Sequence, residues 1–274
     1  IDAMTISTRD QLIDAMGNNA SRQVIDKASL ANAVAGQFFS LWTAAGIPGA
    51  GSAPGAAANP TSATTGAFSF ANQTAPATSY LAWLAVQCSL SASNLEIHDR
   101  LAHMSGLSGT VTTSQGALSL VTNSPGAERL GDANYSDVQW WLEIYTALGA
   151  TGVNATVAVE YNDGATGNLA AIALGATPRA GRLYPLISAV AGKFIRAVTG
   201  VTLSATTGTA GNFGITATRS RTSVSAPLLN KTEVFDWAQL GLPNIPNDSC
   251  LMLLMLCATT STGTVRGQGK IAHG

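Results

Sequence analysis

The chain has 274 residues, 46% hydrophobic and only 11% charged, and its 14 basic and 15 acidic side chains leave a net charge of -1. No basic stripe is present to displace counterions, which excludes a nucleic-acid groove, and Cys88, Cys250 and Cys257 form neither CxxC spacing nor an even disulfide framework. Charge so far below the usual quarter of a soluble domain leaves two routes to solubility, a surface of hydroxyl and amide groups or cover by partner subunits; the second is favoured, because obligate interfaces resemble a domain core cut in half.

The N-terminus, IDAMTISTRDQLIDAM, carries Asp2, Asp10 and Asp14 where a signal peptide would be basic and apolar. Residues 5–16 predict a short helix with Ser7 or Thr8 as N-cap and Ile6, Leu12, Ile13 and Met16 for its apolar face. Residues 29–46, SLANAVAGQFFSLWTAAG, form a second helical candidate. Leu30, Val34, Phe38, Leu41 and Trp42 recur at steps of three and four, and Gly46 and Pro48 supply a stop; Gly36 in the middle leaves a partly extended alternative open.

Residues 46–66, GIPGAGSAPGAAANPTSATTG, hold three prolines and five glycines in 21 positions and read as a long surface loop or flexible arm. The expected organisation is an N-terminal helical arm over 1–48, a Gly/Pro/Ala-rich loop over 49–79 and an antiparallel β domain over 80–274.

From residue 80 the period changes to two. SYLAWLAVQCSL sets Leu81, Trp83 and Ala85 against Ala82, Leu84, Val86 and Cys88, and SNLEIHDRLAHM reads as a strand or a turn into a short helix. VQWWLEIYTAL places Trp140, Leu142 and Ile144 on one face and Gln139, Trp141, Glu143 and Tyr145 on the other. VNATVAVEY alternates as a half-buried strand, with Val153, Ala155, Val157, Val159 and Tyr161 inward. The NDGATG that follows predicts a hairpin over about 153–174.

Further strands are expected at 193–206, 212–221, 249–259 and 264–273, a hairpin turn at 206–211, and one late helix at 232–240. The apolar run CLMLLMLCA within 249–259 is nine residues long, short of the roughly 20 that span a bilayer as a helix. Short strands with Gly-rich turns predict a mainly β fold, an antiparallel β-sandwich or jelly-roll-like domain with an N-terminal helical or extended arm.

Chemistry-bearing groups are few. EIHDRLAH brings together Glu96, His98, Asp99 and His103, but the histidines are five apart rather than the four that HExxH requires. In a strand Glu96 and His98 share a face that Asp99 and His103 do not join, so a metal site there would need ligands from elsewhere; otherwise the segment is a polar turn in which Asp99 pairs with Arg100 or caps a helix. Glu143 and Glu160 are the one carboxylate pair with a glycosidase reading, on adjacent strands if 138–148 and 153–161 form a hairpin, with Trp141 and Tyr145 as a sugar platform. Burial of that face under another layer or a neighbouring chain is the favoured reading. No GxSxG elbow, P-loop or GxGxxG after a strand occurs, so neither catalytic residues nor a cofactor or metal site is assigned.

Six segments together carry a family resemblance: SRQVIDKASL (21–30), AGQFFSLWTAAGIPGAG (35–51), HDRLAHMSGL (98–107), WWLEIYTALGATGVNATVAVEYNDGATGN (140–168), VTLSATTGTAGNFGITATR (201–219) and LGLPNIPNDSCLMLLMLC (240–257). The chain resembles virion structural proteins of tailed bacteriophages and prophages, over nearly its whole length. The resemblance implies a structural protein present in many copies in the virion, assembled in the host cytoplasm, and brings no catalytic residue with it. The role best suited to a β-rich chain with an N-terminal arm is a head cement or decoration protein, whose partners would be other copies of itself, as a trimer, and the major capsid protein, with no nucleic-acid site and no membrane. A major capsid protein is the next reading, then a tail or connector component. A virion protein that binds or cleaves glycans is the reading from a different class.

Overall fold

A computed structural model describes residues 5–31, 33–90, 93–226 and 228–274. In chain order the elements are α1 (Arg9–Asn18), β1 (Ala20–Lys27), β2 (Phe38–Ser40), β3 (Gly46–Ile47), β4 (Ser79–Cys88), β5 (Ser93–Leu107), β6 (Leu118–Ser119) and α2 (Ala127–Leu130). There follow β7 (Gln139–Thr146), β8 (Val153–Tyr161), β9 (Thr166–Asn168), β10 (Ile172–Gly175), β11 (Arg182–Leu186), β12 (Ile195–Leu203) and β13 (Asn212–Ala226). The last four are β14 (Glu233–Asp236), β15 (Asn244–Ile245), β16 (Leu251–Leu256) and β17 (Val265–His273). The fold is mainly β and antiparallel, with a helix at its N-terminal end, as the periodicity predicts.

The strands form three layers. In the middle is a closed barrel in the order β11-β2-β16-β5-β13-β7. On one side lies a sheet ordered β14-β4-β17-β1-β3, with β15 also on β4; on the other lies a sheet ordered β10-β8-β12-β6, with β9 also on β8. Barrel strands are therefore covered on both faces, and β16 accordingly reads as a continuous apolar run rather than an alternation. In β16, Leu251, Leu253 and Met255 pack outward on the β1/β4/β17 sheet while Met252 and Leu254 fill the barrel. In β7, Trp140, Leu142 and Ile144 face the β8/β12 sheet, and Trp141 and Tyr145 face the interior, the division that alternation predicts. By contrast β8 has one wet face, and its burial alternates residue by residue.

Among the bulges that change side-chain parity, two position residues around the barrel. One at Ala82 in β4, opposite the Lys270–Ile271 step, puts Leu81 and Leu84 in the same core cluster and turns Ala82 toward α1. Another in β5 sends Leu101 and Ala102 both outward, so that His103 returns to the interior with His98.

α1 starts at Arg9 because Thr8 and Gln11 form a capping box, each side chain bonding the other's backbone N–H, at 3.2 and 3.0 Å. Its inner face is Leu12 and Ala15, whereas Ile13, expected on the apolar face, is 56% exposed.

Several expectations are corrected. Among the described residues of 29–46 the partly extended alternative holds and the helix does not: Gly36 adopts a φ of 75°, and Gly36 N and Gln37 O both bond to Cys257, which draws Phe38–Ser40 into the barrel as β2. Nor is residue 80 a boundary in the strand pairing, since β1 is bonded along its length to β17. The 46–66 stretch is a surface loop, one of its two expected readings, with ten of its 21 residues exposed, but it is not a free arm, since Gly51, Pro60, Ser62 and Gly66 are buried. The 206–211 turn joins β12 in the outer sheet to β13 in the barrel, so it is a crossover and not a hairpin. Residues 232–240 contain β14; Asp236 caps only a turn there, its Oδ1 accepting from Ala238 N and Gln239 N. The predicted 153–174 hairpin is present, with its return strand divided between β9 and β10.

Candidate functional site

The barrel interior collects most of the polar side chains that the sequence singles out. Arg100 on β5 and Glu143 on β7 are 0% and 1% exposed, and the guanidinium Nη2 reaches both carboxylate oxygens at 2.7 Å. Thr216 Oγ1 on β13 donates to Glu143 at 2.6 Å, and Arg100 Nη1 donates to Tyr145 Oη at 3.0 Å and to His103 Nδ1 at 2.9 Å. The guanidinium also lies 4.5 Å from the centroid of the Trp42 ring. Every charge is thus met by an opposite charge, a hydrogen bond or an aromatic face, which is the condition for keeping ions out of water.

The electrostatics follow from that enclosure. Burial alone would raise the Glu143 carboxyl, but the adjacent Arg100 charge and the Arg100 and Thr216 hydrogen bonds hold it below the usual carboxylate range. Burial and the Arg100 charge push His103 down to about 2, so its ring is neutral and Nδ1 is free to accept from Arg100. Burial and the Glu143 charge raise the Tyr145 phenol, which stays protonated.

The two ends of the barrel differ. At the end where β5 finishes, Trp42 fills the lumen beneath residues 51–67. Its Nε1 donates to Ser52 O at 2.8 Å, and Ala58 bridges to His103 through two backbone bonds of 2.9 and 3.0 Å. At the other end a cleft of about 550 Å³ opens among Phe38, Glu96, Gln139, Trp141, Pro185 and the 187–194 loop. His98, buried just inside, bonds Glu96 Oε2 at 2.7 Å and Thr218 Oγ1 at 3.0 Å, and Trp141 Nε1 donates to the same hydroxyl at 2.9 Å.

The expected site residues are therefore separated. Glu143 lies in the barrel and Glu160 on the outer sheet, where it pairs with Arg196; β7 and β8 do not form a hairpin, so these two carboxylates do not flank a common space. Trp141 and Tyr145 are 4% and 7% exposed, covered by the rest of the barrel rather than presented as a platform. Asp99, on the outer side of the barrel wall, does not pair with Arg100. It accepts from Arg129 Nη2 and Nε at 2.7 and 3.1 Å, Arg221 Nη2 at 3.0 Å and Cys250 N at 2.8 Å. Burial alone would raise its carboxyl, yet the two guanidinium groups keep it low. Among the described residues no group of three or more His, Cys, Asp or Glu side chains is arranged to hold a metal ion.

No family model and no curated protein matches the chain. Among solved structures it is similar to a chain of the infectious bursal disease virus Gt strain, at 13% identity and a TM-score of 0.20 over 93% of this chain and 80% of that one. It is also similar to the VP2 subviral particle of the same virus, at 11% identity and a TM-score of 0.17 over the same shares. Superpositions at these scores carry no argument about fold or role.

Sequence reading missed Arg100, Arg129, Arg221, Thr216 and Trp42. One signal pointed to the first: in a chain so poor in charge, Glu143 sits within a strand beside Trp141, Leu142 and Ile144, where an ion without a counter-charge would be untenable.

Proposed function

We propose that the chain is a bacteriophage virion structural protein, a cement or decoration protein that stabilises a head shell as an oligomer. The observation that carries this reading is the surface left after folding. Lys27, Asp99, Arg100, Arg129 and Glu143 are buried, so a chain already low in charge spends part of it inside. Meanwhile Ile13, Ile47, Val121, Ile187, Leu229 and Val234 are each more than half exposed. Such a surface suits a protein covered by copies of itself and by a capsid lattice. The family resemblance of six segments supports the same reading, which assigns the chain no reaction and no cofactor. Major capsid protein and tail or connector component are the alternatives within this class.

The test is mass spectrometry of purified particles together with native mass spectrometry of the isolated chain. A many-copy virion component that forms trimers is expected; absence from particles would overturn the reading. A glycan-binding or glycan-cleaving role predicts that Trp141→Ala abolishes glycan binding or Glu143→Gln abolishes cleavage; the burial of both side chains favours the structural reading over it.

A further inference from the structure

The open end of the barrel presents one negative charge to an apolar cleft. Glu96 is 19% exposed at its side chain, and only its Oε2 is engaged, by His98 Nε2. Thr218 Oγ1 accepts from Trp141 Nε1 at 2.9 Å and has two acceptors within reach of its own proton, His98 Nδ1 at 3.0 Å and Gln139 O at 3.5 Å; with the proton on the shorter contact, the ring carries its proton on Nε2 and donates it to Glu96. That assignment keeps the carboxylate an acceptor; Glu96 lines the cleft, and no donor reaches its Oε1 among the described residues.

The other charged residue of the cleft lining is Lys193. Its Nζ is held by Asp163 Oδ2 at 2.9 Å and lies 5.6 Å from the Tyr161 ring centroid, so its charge is already matched. The remaining walls are mostly apolar, and on the overhanging loop Ile187 is 71% exposed. The volume, about 550 Å³, falls in the range of small-molecule sites.

We infer that this cleft binds a small organic cation, with an ammonium head at Glu96 Oε1 and an apolar body against Phe38, Pro185 and Ile187. A neutral ligand covering the same walls would strip water from the carboxylate and leave it unpaired, which is costly; a cation replaces the lost water with an opposite charge. An anion would meet the carboxylate directly. The site does not depend on the virion reading, because it rests only on the barrel mouth.

Ligand-observed NMR titrations of the full chain with n-hexylammonium, 1-hexanol and hexanoate test this assignment. Hexylammonium is expected to bind at least tenfold more tightly than hexanol, with hexanoate weakest. Glu96→Gln, whose amide oxygen can still accept from His98, is expected to abolish the preference. Gln139→Lys places a positive charge on the exposed rim without touching His98 and is expected to weaken hexylammonium several-fold, which keeps the test open if the first variant misfolds. Equal binding of the three probes, a preference that survives Glu96→Gln, or a hexylammonium affinity left unchanged by Gln139→Lys overturns the site. N-acetyl-lysine methylamide binding tenfold more tightly than hexylammonium would instead make the ligand a polypeptide side chain and overturn the small-molecule assignment.

Discussion

The two ends of one barrel are finished in opposite ways. At the closed end a tryptophan is roofed by a loop of Gly, Ala and Pro; at the open end a carboxylate and the Phe38 ring line a cleft. The residues that read as a flexible arm are small because the loop passes directly over an indole. A Cβ at Gly51 would stand 2.1 Å from Trp42 Cε2, and one at Gly66, where φ is 107°, 2.9 Å from Cζ3. Composition that resembles a linker can thus be a packing solution, and the distinction lies in what the small residues touch.

Substitutions along the barrel axis sharpen this contrast. The largest effect is expected at the centre: Glu143→Ala leaves Arg100 buried without a counter-charge and should cost about 3–5 kcal/mol in denaturant unfolding. Arg100→Met with Glu143→Leu should recover most of that loss; a double variant no better than the single would show that the ion pair itself supplies the stability. At the closed end Gly51→Ala should destabilise by about 1–3 kcal/mol, because the indole is fixed by its bond to Ser52 O and must shift. An unchanged unfolding midpoint would mean that the roof yields freely.

The pH dependence addresses the same end. The folded His103 titrates near 2, so below about pH 6.5 the unfolded chain binds a proton that the folded chain refuses. Stability should therefore fall by about 1.4 kcal/mol per pH unit as pH drops from that point, with a contribution of the same sign from His273, whose pKa burial also lowers. His103→Gln should reduce the slope between pH 6 and 4.5 by about one proton. Asp99 and Glu143, both held low, add their own loss only below about pH 4, where the unfolded carboxylates begin to protonate. The smallest effect is expected at the open end, where Glu96→Gln should change stability by less than about 1 kcal/mol while altering what the cleft binds.

What the sequence makes legible is local. Alternation locates β8 and divides the faces of β7, and Thr8, one of the two N-cap candidates, marks where α1 begins. What it hides is pairing over distance. β1 and β17 are joined across more than 200 residues, and nothing in either strand names the other. The 29–46 stretch has helical spacing because Phe39 and Leu41 face one layer while Phe38 and Trp42 fill the barrel, an accident of a three-residue strand running into a turn. The polar cluster was only half visible for the same reason: Glu143 is conspicuous beside Trp141, but its partner Arg100 stands in EIHDRLAH, which reads as a polar turn until a 15-residue strand runs through it.

The buried cysteines give the molecule two internal clocks. Burial pushes the thiols of Cys250 and Cys257 up to about 12, so at neutral pH neither presents an appreciable thiolate to a reagent while its surroundings are closed. Cys250 belongs to the same core cluster as Trp42 and Tyr145 in the barrel lumen, whereas Cys257 belongs to the layer between the barrel and the β1/β4/β17 sheet. The rate at which each sulfur is modified therefore times a different seam, one recording the barrel opening and the other a sheet lifting from its wall.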